Sequence, residues 1–526
     1  MPLLAPLALA LTLVADPAAN AAPPEAPAPA GQPENRAGQA ATPPTETPQF
    51  VSPAHEPAPP ESPEAKDPGI RLELTTLEAL RKQGVISEKQ LAGAREDLIE
   101  EGSHVLTAPT LVVGKFATTM YGFIEADMMH DSTRSFVDLA GMGGVAQPGT
   151  ENGDNGRTMF GIRNSRLGFH LTAPETNGIR ASGWLEMDFL GNQPGTAPQP
   201  GFKEGPFWNN PTFRVRHFLL KLDNDVVALW FGQTWELVGW QAAFQPNTVA
   251  IQGVPGELYS RTPQLRLVKS VHLGPTTLEV AAAALRPPQM DSEVPDLQGG
   301  VKLSIDHWTG VQTVGATGTS IAPATFGLSG GLRNYKLVDG PNPDSLASTW
   351  GHALAADVML PILPAKERKE WALTFVGEAS TGSGDADLFT GLTGNAAVGA
   401  PSGFAGGPSK YSAVADIDPG LAGWGPTGSL ETIDWRSLIV SAQLYLPPNG
   451  DLWLAASYSN TYSDNMSDFG SPASVFNHEI WWDVNLFADV TPSTRLGFEY
   501  SHFDTVYLNG VQAPDNRFQL SAFYIF

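Results

Sequence analysis

"RFQLSAFYIF", residues 517–526, closes the sequence. Taken two at a time, Phe518, Leu520, Ala522, Tyr524 and Phe526 share one face. Arg517, Gln519 and Ser521 share the other, with Phe523 and Ile525 as apolar exceptions near the end. A period of two predicts a β-strand. The last residues of a domain in water are usually solvated and loosely held, so an aromatic end without a polar tail points to a strand lying against something other than water.

The same texture runs upstream. "MYGFIEADMM" (120–129) sets Met120, Ile124, Ala126 and Met128 against Tyr121, Phe123, Glu125 and Asp127, and "IRASGWLEMDFLG" (179–191) sets Ile179, Ala181, Leu185, Met187 and Phe189 against Arg180, Ser182, Trp184, Glu186 and Asp188. Each ribbon has one greasy face and one charged face. Short turns are expected at 173–178, 223–225, 274–275, 307–310, 363–369, 447–450 and 491–493. Long Gly/Asn/Pro/Asp-rich segments lie near 132–156, 191–211, 239–260, 287–296, 320–348, 381–433, 464–473 and 508–515. Alternating short and long connections of this number predict about sixteen antiparallel strands, tight turns at one end and loops at the other, which is the layout of a transmembrane β-barrel. A soluble β-sandwich also alternates, but its outward face is polar. Here the greasy faces must point outward if the charged ones share a cavity, and a barrel of about sixteen strands is wide enough to hold water. A helical membrane protein is excluded, because no apolar run approaches the ~20 residues that a spanning helix needs, apart from the N-terminal stretch.

Ahead of the barrel, assigned to 114–526, three segments are expected. Residues 1–21 form a signal peptide, with an apolar core and Ala19-Asn20-Ala21 as an A-x-A cleavage pattern. Residues 22–69 are a disordered Pro/Ala-rich linker, too poor in apolar surface to fold and extended in the manner of polyproline II. Residues 70–103 are helical: Leu74, Leu77 and Leu80, then Leu91 and Leu98, recur at helical spacing, and Ser87 to Gln90 read as a capping box. Two such short helices need a partner surface, either one another's copies in a short coiled coil or the underside of the main domain.

With 31 basic and 55 acidic residues the net charge is −24, which disfavours nucleic acid, since phosphate neutralisation needs clustered Lys and Arg. The absence of Cys excludes disulfides, a thiolate metal site and a Cys nucleophile. His170, His217, His272, His352 and His478 are scattered, and neither G-x-S-x-G nor H-E-x-x-H occurs. No enzyme, metal or cofactor is expected.

The ending, with Tyr524 and Phe526, resembles the C-terminal signature of Gram-negative outer-membrane proteins, which the barrel-assembly machinery reads. "YGFIEAD", "SRLGFHL" (165–171), "WLEMDFLG", "FRVRHFLLKL" (213–222), "FGQTWEL" (231–237) and "RTPQLRLV" (261–268), in that order, resemble the DcaP-like branch of trimeric porins, whose members also carry a helical N-terminal extension. The resemblance implies a homotrimer embedded in outer-membrane lipid and lipopolysaccharide, with the N-terminal segment in the periplasm. It also implies passive diffusion of small hydrophilic solutes through each barrel. A structural or adhesive barrel tethered to the cell wall, without an open pore, is the alternative.

In such a barrel the chemistry is a field across a narrow wet passage. Arg166, Arg180, Arg214, Arg216 and Arg266 fall on faces assigned inward and lie on strands two, three, four and six, so they are expected to line one wall. Glu125, Asp127, Glu186 and Asp188 fall on the same inward faces, either opposing the arginines or pairing with them. Arg163 breaks parity with Arg166, which requires a bulge or a rim position. The segment after the fifth strand, 238–260, matches the place where porins fold a loop inward; it offers Trp240, Gln241, Phe244, Gln245, Asn247 and Glu257 for a constriction. An arginine-lined lumen with this loop is expected to favour small anions, including dicarboxylates.

Overall fold

A computed structural model describes residues 110–526 apart from 114–115, 140–143, 192–209, 242, 251–252, 290–291, 317–318, 339–344, 366–367, 391, 393–419 and 470–474. The expected signal peptide, linker and helical segment lie outside the described residues.

The chain builds its sheet in sequence order. It begins with β1 (Thr110–Val113), β2 (Phe116–Asp131), β3 (Arg157–Gly161), β4 (Arg166–Thr172), β5 (Arg180–Asp188), β6 (Arg214–Asp223) and β7 (Ala228–Trp235). Next come β8 (Arg261–His272), β9 (Thr276–Leu285), β10 (Asp296–Thr313), β11 (Thr319–Val338), β12 (Leu346–Leu363) and β13 (Leu373–Ser383). A small hairpin, β14 (Ala422–Trp424) with β15 (Leu430–Thr432), sits in the longest loop, and β16 (Asp434–Leu446), β17 (Leu452–Ser463), β18 (Phe476–Thr491), β19 (Thr494–Tyr507) and β20 (Gln512–Ile525) complete the ring. Eighteen of these belong to one sheet. β3 and β4 share one place beside β2, and β1 pairs with the part of β2 that β20 does not reach. The result is a closed antiparallel barrel of sixteen strands.

Closure brings the two ends of the chain's sheet together. Phe123 faces Ile525 and Asp131 faces Arg517 across the seam, while Gly122 and Phe526 exchange main-chain hydrogen bonds of 2.9 and 3.0 Å. With no edge left, every strand has a neighbour on both sides, the condition for a sheet in hydrocarbon. A side chain at position 122 has no room: a Cβ there would meet the Arg166 carbonyl oxygen at 2.3 Å.

The alternation sorts residues as the sequence predicts. Ile124, Met128, Phe218, Phe231, Trp350, Leu438 and Leu520 point out and are exposed, Phe218 at 62%. Glu125, Asp127 and Asp131 point in and are buried. An exterior this greasy, continuous around the ring, belongs in a bilayer rather than in water. Inside, the largest apolar cluster gathers Tyr335, Ala353 and Trp435 from the wall with Leu388, Phe389 and Leu421 from the longest loop, so the loop end of the barrel has a packed interior.

Three boundaries differ from expectation. "HWTG" (307–310) is not a turn: β10 runs through it with a register shift between Ile305 and Thr309 and ends only at Thr313. Most of the segment 320–348, expected as one of the Gly/Asn/Pro/Asp-rich loops, is β11. Its glycines are spacers rather than breakers, since a Cβ on Gly327 would lie 2.9 Å from Trp240 and one on Gly300 of β10 would lie 3.1 Å from the same ring. The wall is thinned there to seat an indole. Finally, β20 begins at Gln512, so the last loop is shorter than 508–515.

Candidate functional site

After β7 the chain does not stay at the rim. A single 3-10 turn, Val238–Trp240, contains Gly239 at φ 80°, a left-handed conformation that suits glycine. The turn lies on the inner face of β10 and β11: Gln298 Oε1 accepts from the Leu237 and Val238 N–H groups (2.8 and 3.1 Å), Ser329 Oγ accepts from Gly239 N–H (2.7 Å), and Trp240 Nε1 donates to the Val301 carbonyl (3.1 Å). Further on, Val249 N–H donates to Asn485 Oδ1 on β18 (2.8 Å) and Ala250 N–H to Glu499 Oε2 on β19 (2.8 Å). On the return, Ser437 Oγ of β16 donates to the Gly256 carbonyl (2.8 Å) and Leu258 N–H donates to Glu378 Oε1 of β13 (3.0 Å) before the chain enters β8. Residues 236–260 therefore cross the barrel interior and touch its wall on several sides. Main-chain groups taken away from water need partners, and inward side chains supply them.

The six loop residues singled out from the sequence sit as follows. Trp240 and Phe244 are buried against β10 and β11. Gln241 is buried and accepts from Ser260 N–H (2.6 Å), tying the loop's two limbs together. Gln245 is half-buried, whereas Asn247 and Glu257 are buried, Glu257 accepting from Val254 N–H (2.8 Å). Burial pushes the Glu257 carboxyl up, and Glu378 nearby adds to the shift.

The predicted arginines do not form one uniform wall. Arg216 binds Glu186 (2.6 Å) and Asp188 (3.3 Å), and Arg214 binds Asp188 through two nitrogens (3.0 and 2.6 Å). Of the two arrangements the sequence allowed, these four residues pair along the wall instead of opposing one another. Arg166 lies over the Phe123 ring at 5.3 Å. Arg266 donates to the Trp235 carbonyl (2.6 Å) and Gln264 Oε1 (2.9 Å), and stands over Trp230 at 5.3 Å. Arg180 is at the short-turn rim, half-exposed, among Glu175, Asp223 and Asp225 (3.4–3.9 Å). Glu125 and Asp127 lie beside the closure seam, where Ser521 Oγ donates to Asp127 and Asn164 Nδ2 to Glu125 (3.4 Å). Arg163 occupies the break between β3 and β4 and binds Asp138 of the first long loop (Nε–Oδ2 2.6 Å), the irregularity its parity demanded.

Several residues escaped the sequence reading. β6 shifts register against β5 between Glu186 and Met187, which brings Arg216 and His217 inward together; strict alternation had hidden His217. From there a file of rings runs around the wall: Tyr121–His170 (4.8 Å), His170–Trp184 (5.6 Å), Trp184–His217 (3.7 Å), His217–Trp235 (5.5 Å) and Trp235–Tyr259 (4.6 Å). His170 and His217 are thus not scattered. The same shift turns Lys221 inward, its ammonium 4.1 Å from the Trp230 ring and 5.5 Å from that of Trp184. Arg261 stacks over Trp235 at 4.6 Å, and Lys302 pairs with Glu279 at 3.0 Å while facing Trp240 at 4.7 Å. Cations resting on ring faces gain from the quadrupole without losing their charge. Burial alone would raise the Tyr259 phenol, but Arg216, with Arg166 and Arg261, pulls it down to about 8.

At the C-terminal strand Tyr524 points outward and is half-exposed, at 53%, in the position of an interfacial aromatic.

No family model and no curated protein matches the sequence. Among solved structures, the outer-membrane channel DcaP of Acinetobacter baumannii matches over 80% of this chain and 100% of its own, at 17% identity and a TM-score of 0.57. The anion-selective porin from Comamonas acidovorans matches over 78% of this chain and 100% of its own, at 11% identity and a TM-score of 0.42. The closed ring of sixteen antiparallel strands, the greasy exterior and the match to DcaP together give this chain the fold of an outer-membrane porin.

Proposed function

We propose that the chain is a porin of a Gram-negative outer membrane, passing small hydrophilic solutes by diffusion and favouring small anions, dicarboxylates among them. One observation carries this reading: the crossing loop uses the two charge signs unequally. Glu378 and Glu499 spend their acceptor oxygens on the loop's main-chain N–H groups, while Lys221 and Arg266 of the β6–β8 wall rest against aromatic rings and make no ion pair with a carboxylate among the described residues. Neutral main-chain contacts and cation–π contacts leave a net positive field on that side. Trp240, Gln241, Phe244, Gln245, Asn247 and Glu257 then belong to the loop that narrows the passage, and the arginines set the wall's charge. A homotrimer in a membrane containing lipopolysaccharide, inserted by the barrel-assembly machinery through its terminal strand and with the N-terminal segment in the periplasm, completes the reading. Swelling of liposomes carrying the refolded protein tests it. Entry of a small dicarboxylate is expected to outpace that of an amine of equal size, and Lys221→Ala with Arg266→Ala is expected to remove the difference; faster entry of the amine would overturn the anion preference.

The packed apolar cluster at the loop end favours the second reading, a structural or adhesive barrel. Such a barrel, folded and inserted, would admit none of these solutes.

A further inference from the structure

Beneath the return limb of the crossing loop the wall is acidic. Asp357 of β12 and Glu378 of β13 stand directly opposite each other across their ladder, both on the inner face and only 4% and 7% exposed. Opposed residues of an antiparallel pair have their Cβ atoms about 5 Å apart, a separation at which like charges repel. Glu257 of the loop, itself buried, is close enough to Glu378 to add a third negative charge. None of the three makes an ion pair among the described residues.

Neutral donors do not make up the difference. Glu378 Oε1 accepts from Leu258 N–H, while its other oxygen lies where a Cβ on Gly239 would meet it at 2.9 Å. Neither oxygen of Asp357 has a hydrogen-bond partner, and its surroundings explain why. It faces Gly327 on β11, its inner-face neighbours on β12 are Ala355 and Met359, and the Trp240 ring packed over Gly327 spends its N–H on the Val301 carbonyl. Ser380, the next inner-face residue along β13 and diagonal to Asp357, is 8% exposed and its hydroxyl also lacks a partner. Acceptor oxygens thus gather in one buried patch that carries excess negative charge. Buried charge is paired or coordinates a metal. One shared proton would satisfy a single oxygen and leave the others bare, and a monovalent ion would leave most of the charge. Among the described residues no three acidic or histidine side chains converge on one point, so a hydroxyl and water, rather than a third carboxylate, would complete a shell here. Calcium accepts such a mixed set of about six to eight oxygens in loose geometry, whereas magnesium demands a near-ideal octahedron.

We infer that Asp357, Glu378 and Ser380 form a calcium site on the inner wall, with Glu257 adding charge from the loop. The ion would tie β12 to β13 and, through the Glu378–Leu258 bond, to the crossing loop. The inference goes beyond the porin reading and holds whether or not the barrel conducts.

Isothermal titration calorimetry of the refolded full chain in detergent, stripped with EDTA and titrated with calcium or magnesium chloride, tests it. Heat-modifiable migration first shows that each variant is folded. Calcium is expected to bind more tightly than magnesium. Ser380→Ala, which keeps both carboxylates, should weaken calcium binding about tenfold and Asp357→Asn by more, the scale set by losing groups around a bound metal. Asp225→Asn, at an exposed carboxylate of the short-turn rim, should change nothing. Calcium should also slow protease cleavage within 236–260 in the wild type and not in Asp357→Asn. Equal calcium binding by the wild type and Asp357→Asn overturns the site, as does magnesium bound as tightly as calcium. No calcium binding at millimolar concentration, with a protonated-carboxyl infrared band that Asp357→Asn removes, would overturn it in favour of a shared proton.

Discussion

Tyr259 carries more weight than a loop residue usually does. It closes the file of rings that starts at Tyr121, accepts from Arg216 Nη2 at 3.3 Å and lies under Arg261. The same guanidinium groups that would draw an anion inward stabilise its phenolate, holding the phenol at about 8 against an ordinary value of 10.0. A folded-state value below the unfolded one means that the native protein releases this proton first, so the group adds stability as pH rises from about 8 towards 10 and that contribution is absent below about 8. The ionised phenol also places a negative charge among the wall cations. Anion preference, measured by reversal potential, should therefore fall as pH passes through about 8, and Tyr259→Phe should lack that step. An unchanged step in the variant would assign it to another group.

At the scale of elements, the crossing loop and the strands that receive it form one unit. Its N–H groups are held by Glu378 and Glu499, and an intramolecular hydrogen bond contributes about 0.5–1.5 kcal/mol. Glu378→Ala with Glu499→Ala is expected to loosen the loop, raising single-channel conductance and speeding protease cleavage within 236–260; conductance and cleavage like those of the wild type would show that the anchors are dispensable. The period of two in "MYGFIEADMM" made β2 legible, because its greasy and charged faces never exchange. "FRVRHFLLKL" was only half legible. One register shift opposite Glu186 moves Lys221 to the inner face, and nothing in the residue order marks where a ladder slips. β11 was missed for another reason: Gly327 and Gly331 look like breakers until Trp240 and Val238 are seen packed over them, a contact between segments some ninety residues apart. The pairing of Arg214 and Arg216 with Glu186 and Asp188 was likewise open in the sequence, since residues on one inward face oppose or pair according to rotamers that alternation does not fix.

For the whole molecule the organising fact is the inversion of greasy and charged faces around a closed ring. Phe526 meets Gly122 at the seam, so the aromatic end is paired backbone rather than a loose tail, and the exterior presents hydrocarbon-compatible side chains from every strand. The interior is charged, crossed by one loop and packed at the loop end. Acidity overall, with 55 acidic against 31 basic residues, does not by itself oppose the proposed anion preference, because selectivity follows the field in the passage rather than net charge. The most direct measurement is the single-channel current of the refolded full chain in a planar bilayer under a salt gradient. Discrete conducting steps with a reversal potential on the anion side are the expected result. A barrel verified as folded that carries no current, or one that reverses on the cation side, would contradict the account.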